Sequence, residues 1–470
     1  INKKQEAGKT VRAFTEPLHE LSGFEEMTKE AQKTGLITIS GCIDAQKSHM
    51  IYGIGNGRKN KVIVTFHEQK AKELYDDYRF FEPNTVYYPA KDILFYQSDI
   101  RGNLLTAERI RALRAIHEQQ EVTVITTLDA LMNTMAPPKT LWDSIRRIEP
   151  GDTVVLDELV ARLVQMGYEK EYQVDTVGQF ALRGGILDVY PLTEDNPVRI
   201  EMWGDEVDTI RSFDVESQKS IENLEELVIY PACELVLDDE EKQAGIARFL
   251  KEAKTFASKL KKEMKTEEAH RALSTAQELA EEWGELSVTA GMDAYLSYFS
   301  EERVGLLDYF DPADTYLFFD ELSRCTERGK QTEVEFAESM KQRLEKGYIL
   351  PGQMKELFGF KEVMGKIERY SCIAVSALDV KTNGLKSNGQ YGIHVKSVNA
   401  YNNSFELLIK DLQHYKKNGY RIILLSGSRT RAERLASDIM NEGLNCFYTD
   451  DYDHELLPGQ IMVCYGKVHK

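Results

Sequence analysis

The sequence predicts an α/β chain: a parallel-sheet domain split by a small inserted α+β domain and followed by a second, Rossmann-like α/β unit. Three observations carry this. Apolar, β-branched segments at 36–40 (LITIS), 61–66 (KVIVTF) and 122–127 (VTVITT) alternate with helical sequence, the pattern of a parallel sheet with crossover helices. A different pattern opens near Gly151, after which residues 316–319 (YLFF) return to a buried strand placed to rejoin the first sheet. From about Phe405 a helix, strand, helix and strand follow as a small unit of their own. A length of 470 residues suits roughly two to four domains at ~100–200 residues each. The boundaries read 1–145, 146–233, 234–378 and 379–470.

Composition narrows the function classes. Hydrophobic residues at 42% and charged residues at 29% fit a folded, water-soluble chain, and no apolar run approaches the ~18 residues of a membrane span. Residues 1–10 lack the apolar core of a signal peptide, so a cytoplasmic location and no membrane partner are expected. A formal net charge of −18 opposes non-specific adhesion to polyanions. The six cysteines form no CxxC pair and the nine histidines no HExxH motif, so neither a disulfide nor a metal site is expected.

The first strand leads into Gly41-Cys42-Ile43-Asp44-Ala45-Gln46-Lys47-Ser48, a near match to the phosphate loop GxxxxGK[ST]. Such a loop wraps successive backbone N–H groups around phosphates, and the glycine before the lysine permits close approach. Here that glycine is Gln46, and Asp44 adds negative charge where phosphate would sit. Lys47 and Ser48 remain, but the cradle is damaged. Further on, residues 156–168 place Leu156, Val160, Leu163 and Val164 on one helical face. Strands at 179–190 and 198–213 then meet at a turn over Thr193-Glu194-Asp195-Asn196-Pro197. Residues 235–285 read as charged helices with a solvated face. The strand Tyr316-Leu317-Phe318-Phe319 ends in Asp320-Glu321, the position at which a nucleotide hydrolase holds magnesium and orients water. Together with the altered loop this pair predicts a hydrolase-type fold without hydrolysis, and no catalytic residue is assigned.

The chain resembles the bacterial transcription-repair coupling factors (Mfd) in their amino-terminal half, whose first part is similar to the excision-repair protein UvrB. Carrying the likeness are Arg183-Gly184-Gly185-Ile186-Leu187-Asp188-Val189-Tyr190-Pro191, Val198-Arg199-Ile200-Glu201-Met202-Trp203-Gly204-Asp205-Glu206-Val207-Asp208 and Arg211-Ser212-Phe213-Asp214. Thr106-Ala107-Glu108-Arg109-Ile110-Arg111-Ala112-Leu113 and the Asp320-Glu321 strand extend it over roughly residues 20–375. The unit from Phe405 resembles the small domain that follows in the coupling factors but not in UvrB. The resemblance implies a degenerate P-loop, helicase-like parallel sheet with the degenerate nucleotide site at Gly41, Gln46, Lys47, Ser48, Asp320 and Glu321. UvrB-like proteins have a complete phosphate loop and a long aromatic hairpin; after Tyr87-Tyr88-Pro89-Ala90-Lys91-Asp92 this chain is too short for that hairpin, leaving Tyr96 as a loop aromatic.

The family uses the insert to bind UvrA. Between residues 186 and 230 stand twelve acidic residues against three basic ones (Arg199, Arg211, Lys219), a balance of −9 that repels phosphate backbones. Arg183 and Arg199 stand out there, since a planar guanidinium forms bidentate pairs with carboxylates. The family motif implies that they contact UvrA with Phe180, Ile186 and Glu201 as neighbours; the other reading pairs them with Glu201, Asp188 or Asp205 inside the same sheet. Ala181 stands where UvrB-like motifs often have another arginine. The resemblance thus implies a fragment that recruits UvrA for nucleotide excision repair and helps restrain a carboxy-terminal, ATP-driven DNA translocase. RNA polymerase, duplex DNA, ATP and magnesium would be engaged by carboxy-terminal domains beyond Lys470, with which this part makes interdomain contacts. The alternative is an active UvrB-like ATPase or helicase module that binds DNA.

Overall fold

A computed structural model describes residues 11–91, 100–285, 292–379, 384–399, 401 and 404–468; Tyr96 lies outside them. The chain begins a sheet with β1 (Gly35–Ser40), β2 (Asn60–Thr65), β3 (Val86–Tyr88) and β4 (Thr123–Thr127). It leaves through β5 (Arg146–Ile148) and builds an insert from β6 (Glu169–Lys170), β7 (Gln179–Arg183), β8 (Ile186–Val189), β9 (Val198–Trp203), β10 (Glu206–Phe213) and β11 (Ser220–Asn223). The exit strand β12 (Leu227–Ile229) pairs antiparallel with β5, so a two-stranded stem closes the insert at its neck.

The chain re-enters the first sheet with β13 (Thr315–Asp320), β14 (Ser371–Val375) and β15 (Ser387–Gly392). Seven parallel strands result, in the order β15-β1-β14-β13-β2-β4-β3. The central strands are apolar on both faces, as a sheet covered by helices on both sides requires. Period-two alternation sends Leu36, Val62, Val64, Leu317 and Phe319 into one core, and Ile37, Ile39, Ile63, Phe318 and Ile373 into the other. The strands recognised in the sequence are these, but β3, β14 and β15 are additional: β3 is three residues long and β15 is a polar, Asn- and Gly-containing edge that no apolar run announces.

The insert sheet runs β11-β10-β9-β8-β7-β6. Leu159 and Leu163 of the Leu156–Gln165 helix pack against Phe180, Leu187, Val189, Val198 and Ile200 on one face. Each long strand expected here is instead a hairpin. Gly184 (φ +62°) and Gly204 (φ +66°) take the left-handed conformation that a two-residue connection needs, turning β7 into β8 and β9 into β10.

Between insert and β13 stand two long helices, Asp239–Lys262 and Thr266–Glu285, the first opened by a reciprocal cap in which Asp238 and Glu241 bond each other's backbone (2.7 and 3.0 Å). Ala253, Ala257, Ala269, Ala272 and Ala276 let them approach closely, with Phe249 and Trp283 filling the space around them. A three-stranded parallel unit, β16 (Ile422–Ser426), β17 (Cys446–Tyr448) and β18 (Ile461–Tyr465), ends the chain in the order β16-β18-β17. It docks on the first domain through Tyr452, whose carbonyl accepts from Ala13 N–H (3.1 Å) and whose ring meets Phe14 and Phe80. Among the described residues no helix is long and apolar enough to cross a membrane.

Candidate functional site

At the end of β1 the chain turns through Gly41 with φ +86°. A Cβ there would lie 2.0 Å from the carbonyl oxygen of Ile393, so the turn requires glycine. The N–H groups of Gly41 and Cys42 donate to Ala377 O (3.3 Å) and Ser376 O (3.1 Å). The following helix begins at Asp44, so residues 44–46, which a phosphate loop would wrap around its ligand, already form a helical turn, with Gln46 N–H donating to Ile43 O at 2.9 Å. Three backbone donors of the cradle, those of Gly41, Cys42 and Gln46, are thus spent on protein carbonyls.

Lys47, only 2% exposed, is held by three carboxylates: Asp320 Oδ1 and Glu321 Oε1 at 2.7 Å each, and Asp44 Oδ1 at 2.9 Å. Burial alone would lower the Lys47 pKa, but Asp320, Glu321 and Asp44 outweigh it and hold the ammonium well above its ordinary value. Burial likewise works against ionised Asp44, yet Lys47 and Lys70 pull its carboxyl below the usual range. Asp320 is fully buried and its Oδ2 accepts from Thr65 Oγ1 at 2.9 Å. Glu321 sits in the left-handed region (φ +58°) at the start of the Leu322–Glu345 helix, where its Oε1 also accepts from Ala377 N–H at 2.9 Å. The cavity between Lys47, Lys70, Leu74, Asp77 and Asp320 measures about 20 Å³, room for about one water. Gln46 Oε1 and Ser48 Oγ are buried and have no hydrogen-bond partner among the described residues.

The residues present therefore do not fit a triphosphate with its metal. The Gly41, Cys42 and Gln46 donors are bonded elsewhere, and phosphate would have to displace three carboxylates from one lysine. The fold brings Gly41, Lys47, Asp320 and Glu321 together as the sequence order suggests, but as a closed ion-paired node. Thr65 is the participant that sequence reasoning misses. A signal for it exists: it ends β2 beside the end of β13, where Val64 pairs with Phe319.

The insert presents the second constellation. Its outer face, opposite the helix Leu156–Gln165, takes the alternate residues of each strand: Arg183, Ile186 and Asp188, Arg199, Glu201 and Trp203, and Arg211. Asp188 is fully buried and accepts from Arg183 Nη2 (2.6 Å) and from Arg199 Nε and Nη2 (2.7 and 2.8 Å). Arg199 also stands over the Phe213 ring at 4.5 Å, while Glu201 binds Arg211 and Thr209. Arg183, Ile186, Arg199 and Glu201 thus share one face, and the arginines take the in-sheet pairing with Asp188 as well.

Phe180 does not share that face. Strand parity turns it into the core beneath the Leu156–Gln165 helix, where it is fully buried, so its placement among surface neighbours is corrected to packing. Trp203, which no sequence motif singles out for a role, is 84% exposed beside the Gly204 turn, and strand alternation from Arg199 is the signal that places it there. The face sets Arg183, Arg199 and Arg211 against Asp188, Glu201 and Glu206, the last opposite Trp203 in the register, so basic and acidic side chains alternate across it.

Elsewhere the thiols are closed off: burial pushes Cys42 and Cys464 up to about 12 and Cys446 up to about 11. Among the described residues no group of three or more His, Cys, Asp or Glu side chains gathers to hold a metal.

A seven-stranded parallel sheet with a lysine after β1 and acids after β13, interrupted by a stem-closed insert, defines a helicase-like α/β module. Comparison with known proteins is consistent with this. Residues 147–235 match the family model of the UvrB interaction domain. The chain is similar to the transcription-repair-coupling factor of Bacillus subtilis (strain 168), 28% identical over 95% of this chain and 37% of that protein. The Staphylococcus haemolyticus transcription-repair-coupling factor is 28% identical over 87% of this chain and 34% of its own length. UvrABC system protein B of Thermosipho africanus is 26% identical over 82% of this chain and 60% of its own length. The match to the UvrB interaction domain thus coincides with the insert, and the chain spans about a third of the length of the coupling factors it matches.

Proposed function

We propose that the chain is the UvrA-docking module of a transcription-repair-coupling factor, recruiting UvrA for nucleotide excision repair. The observation that carries this reading is the outer face of the insert, where Arg183, 38% exposed, and Trp203, 84% exposed, stand on a sheet stiffened by buried Asp188 within the segment that matches the UvrB interaction domain. Exposed Trp and Arg on a rigid scaffold are the residue types that anchor protein interfaces. Arg199 serves by fixing Asp188 and, through it, Arg183.

The nucleotide seat is, in this reading, a structural node and not a catalytic site. RNA polymerase and ATP with magnesium are engaged by other segments of the longer protein, whose DNA translocase this module helps to restrain. The module works in the cytoplasm, with its partners.

UvrA binding by biolayer interferometry tests the docking surface. Arg183→Ala, which adds no charge beside Asp188, and Trp203→Ala each weaken association by roughly 10- to 30-fold, the scale of an interface hot spot; unchanged affinity in the double variant removes the surface from the reading. Arg199→Glu is unsuitable, because it would set a carboxylate against buried Asp188 and confound binding with folding. Titration with ATP and magnesium tests the seat: saturable binding abolished by Lys47→Ala would show that it still takes nucleotide.

A further inference from the structure

The helical hairpin that follows the insert separates its charges in a way that a merely solvated surface does not require. Over residues 251–271, the half nearest the turn, seven basic residues stand against four acidic ones; over 238–250 and 272–285 two basic stand against eight acidic. Within the Asp239–Lys262 helix, Ile246, Phe249, Ala253, Phe256, Ala257 and Leu260 are buried on one side. Lys251, Lys254, Lys259, Lys261 and Lys262 are all exposed on the other. At ~100° and ~1.5 Å per residue these five ammonium groups fill an arc of about 160° along roughly 16 Å of helix.

Two ordinary explanations fall short. Favourable interaction with the helix macrodipole reaches only the last turn, which accounts for Lys259, Lys261 and Lys262 but not for Lys251 and Lys254, two to three turns earlier. A solvated face usually interleaves glutamates at helical spacing. Here Glu252 turns inward, accepting from the Tyr298 hydroxyl and from Gly352 N–H (3.0 Å). Among the described residues none of the five lysines has a carboxylate within ion-pair distance, and only the neighbouring Lys265 has one, Glu263 at 3.4 Å.

We infer that this lysine stripe is a docking surface for the phosphate backbone of duplex nucleic acid. Duplex DNA carries about one negative charge per 1.7 Å of axis, so a stripe of this length faces on the order of ten charges. Lysines supply point charges suited to phosphate, and the stripe carries no aromatic or amide side chain that would read bases, so recognition is independent of sequence. Charge complementarity is confined to this half of the hairpin: the chain as a whole, at −18, repels the same polymer, which makes the association local, weak and steeply salt-dependent.

The test is fluorescence anisotropy of a labelled duplex DNA titrated with the whole chain across a salt series. Wild-type affinity falls with rising salt, and Lys254→Glu/Lys259→Glu/Lys262→Glu lowers low-salt affinity by at least ~10-fold and reduces the magnitude of the log–log salt slope by about 3, one for each phosphate that is no longer neutralised. Circular dichroism verifies that the variant keeps its helices. Should it not, Lys254→Gln/Lys259→Gln/Lys262→Gln, which removes charge without adding repulsion, decides by the same slope. Unchanged binding in the folded variant overturns the inference, as does wild-type protein that binds no duplex at low salt. Binding to polyglutamate without binding to DNA also overturns it and assigns the stripe to an acidic polypeptide.

Discussion

Glu234→Gln is expected to loosen the neck of the insert, and the magnitude follows from the geometry. Glu234 lies just beyond the stem strand β12 and is 5% exposed, with Arg109 Nε at 2.5 Å, Arg109 Nη2 at 3.1 Å and Lys91 Nζ at 3.1 Å. Arg109, itself fully buried, also donates to Pro89 O (2.6 Å) and stands over the Tyr88 ring, so the node ties the insert's exit to the end of β3 and to the Ile100–Glu118 helix. Burial works against ionisation of Glu234, but Arg109 and then Lys91 outweigh it and hold the carboxyl at about 2 against an ordinary 4.5. At ~1.36 kcal/mol per pH unit that difference contributes about 3 kcal/mol. Because the folded-state value lies below the unfolded one, the contribution is complete above about pH 4.5 and is lost as the pH falls toward 2. Urea unfolding at neutral pH therefore separates wild type from Glu234→Gln by about 3 kcal/mol, and the gap narrows on acidification. Hydrogen exchange across residues 227–237 speeds up on the order of 100-fold if the loss is local. A gap below ~0.5 kcal/mol at neutral pH, or one that ignores pH, would refute the assignment of this ion triad as the latch of the neck.

Three further outcomes are expected. Lys47→Met leaves Asp320 and Glu321 facing each other without the lysine between them and lowers stability by about 3–5 kcal/mol, read by chemical denaturation. Gly41→Ala costs more than Gly184→Ala: both strain a positive φ, for about 1–2 kcal/mol, but only the first drives a Cβ into a backbone carbonyl, whereas nothing lies within 4 Å of the second. Asp188→Asn weakens the carboxylate that positions Arg183 and Arg199; UvrA affinity drops roughly 10-fold by interferometry while the hairpin glycines keep the strands paired.

How much is legible in the sequence depends on whether a residue's partner is local. The β1, β2, β4 and β13 runs are apolar on both faces and announce a covered parallel sheet without help from the rest of the chain. Gln46 at the glycine position signals a spoiled loop. What replaces the loop is not visible, because Ser376 and Ala377, which take up the Gly41 and Cys42 donors, lie over 330 residues away in sequence. Phe180 is misplaced for a different reason: proximity to Arg183 in sequence suggests a shared surface, although an offset of three in an extended strand sends two side chains to opposite faces. The hairpins at Gly184 and Gly204 hide inside strand-like runs because both flanking segments are strands and only the two-residue turns Gly184-Gly185 and Gly204-Asp205 mark the reversals.

The retention of Lys47 in a loop that no longer cradles phosphate has a physical reason that does not invoke nucleotide. Asp320 and Glu321 end β13 at the centre of the sheet, where burial makes two adjacent carboxylates costly unless a cation meets them. In a working site a metal and the loop lysine would share that task. With the loop closed by Gln46 and Asp44, the lysine alone does so, and losing it would leave the acids uncompensated. Lysine and acids therefore hold one another in place whatever becomes of the glycine, which predicts that Gln46→Gly restores no nucleotide affinity by itself: Asp44 still pairs with Lys47, and Ser376 and Ala377 still occupy the loop donors. Isothermal titration with ATP and magnesium against Gln46→Gly and Gln46→Gly/Asp44→Ala checks this. Saturable binding in the single variant would mean that the glutamine, and not the ion-paired node, is what shuts the seat.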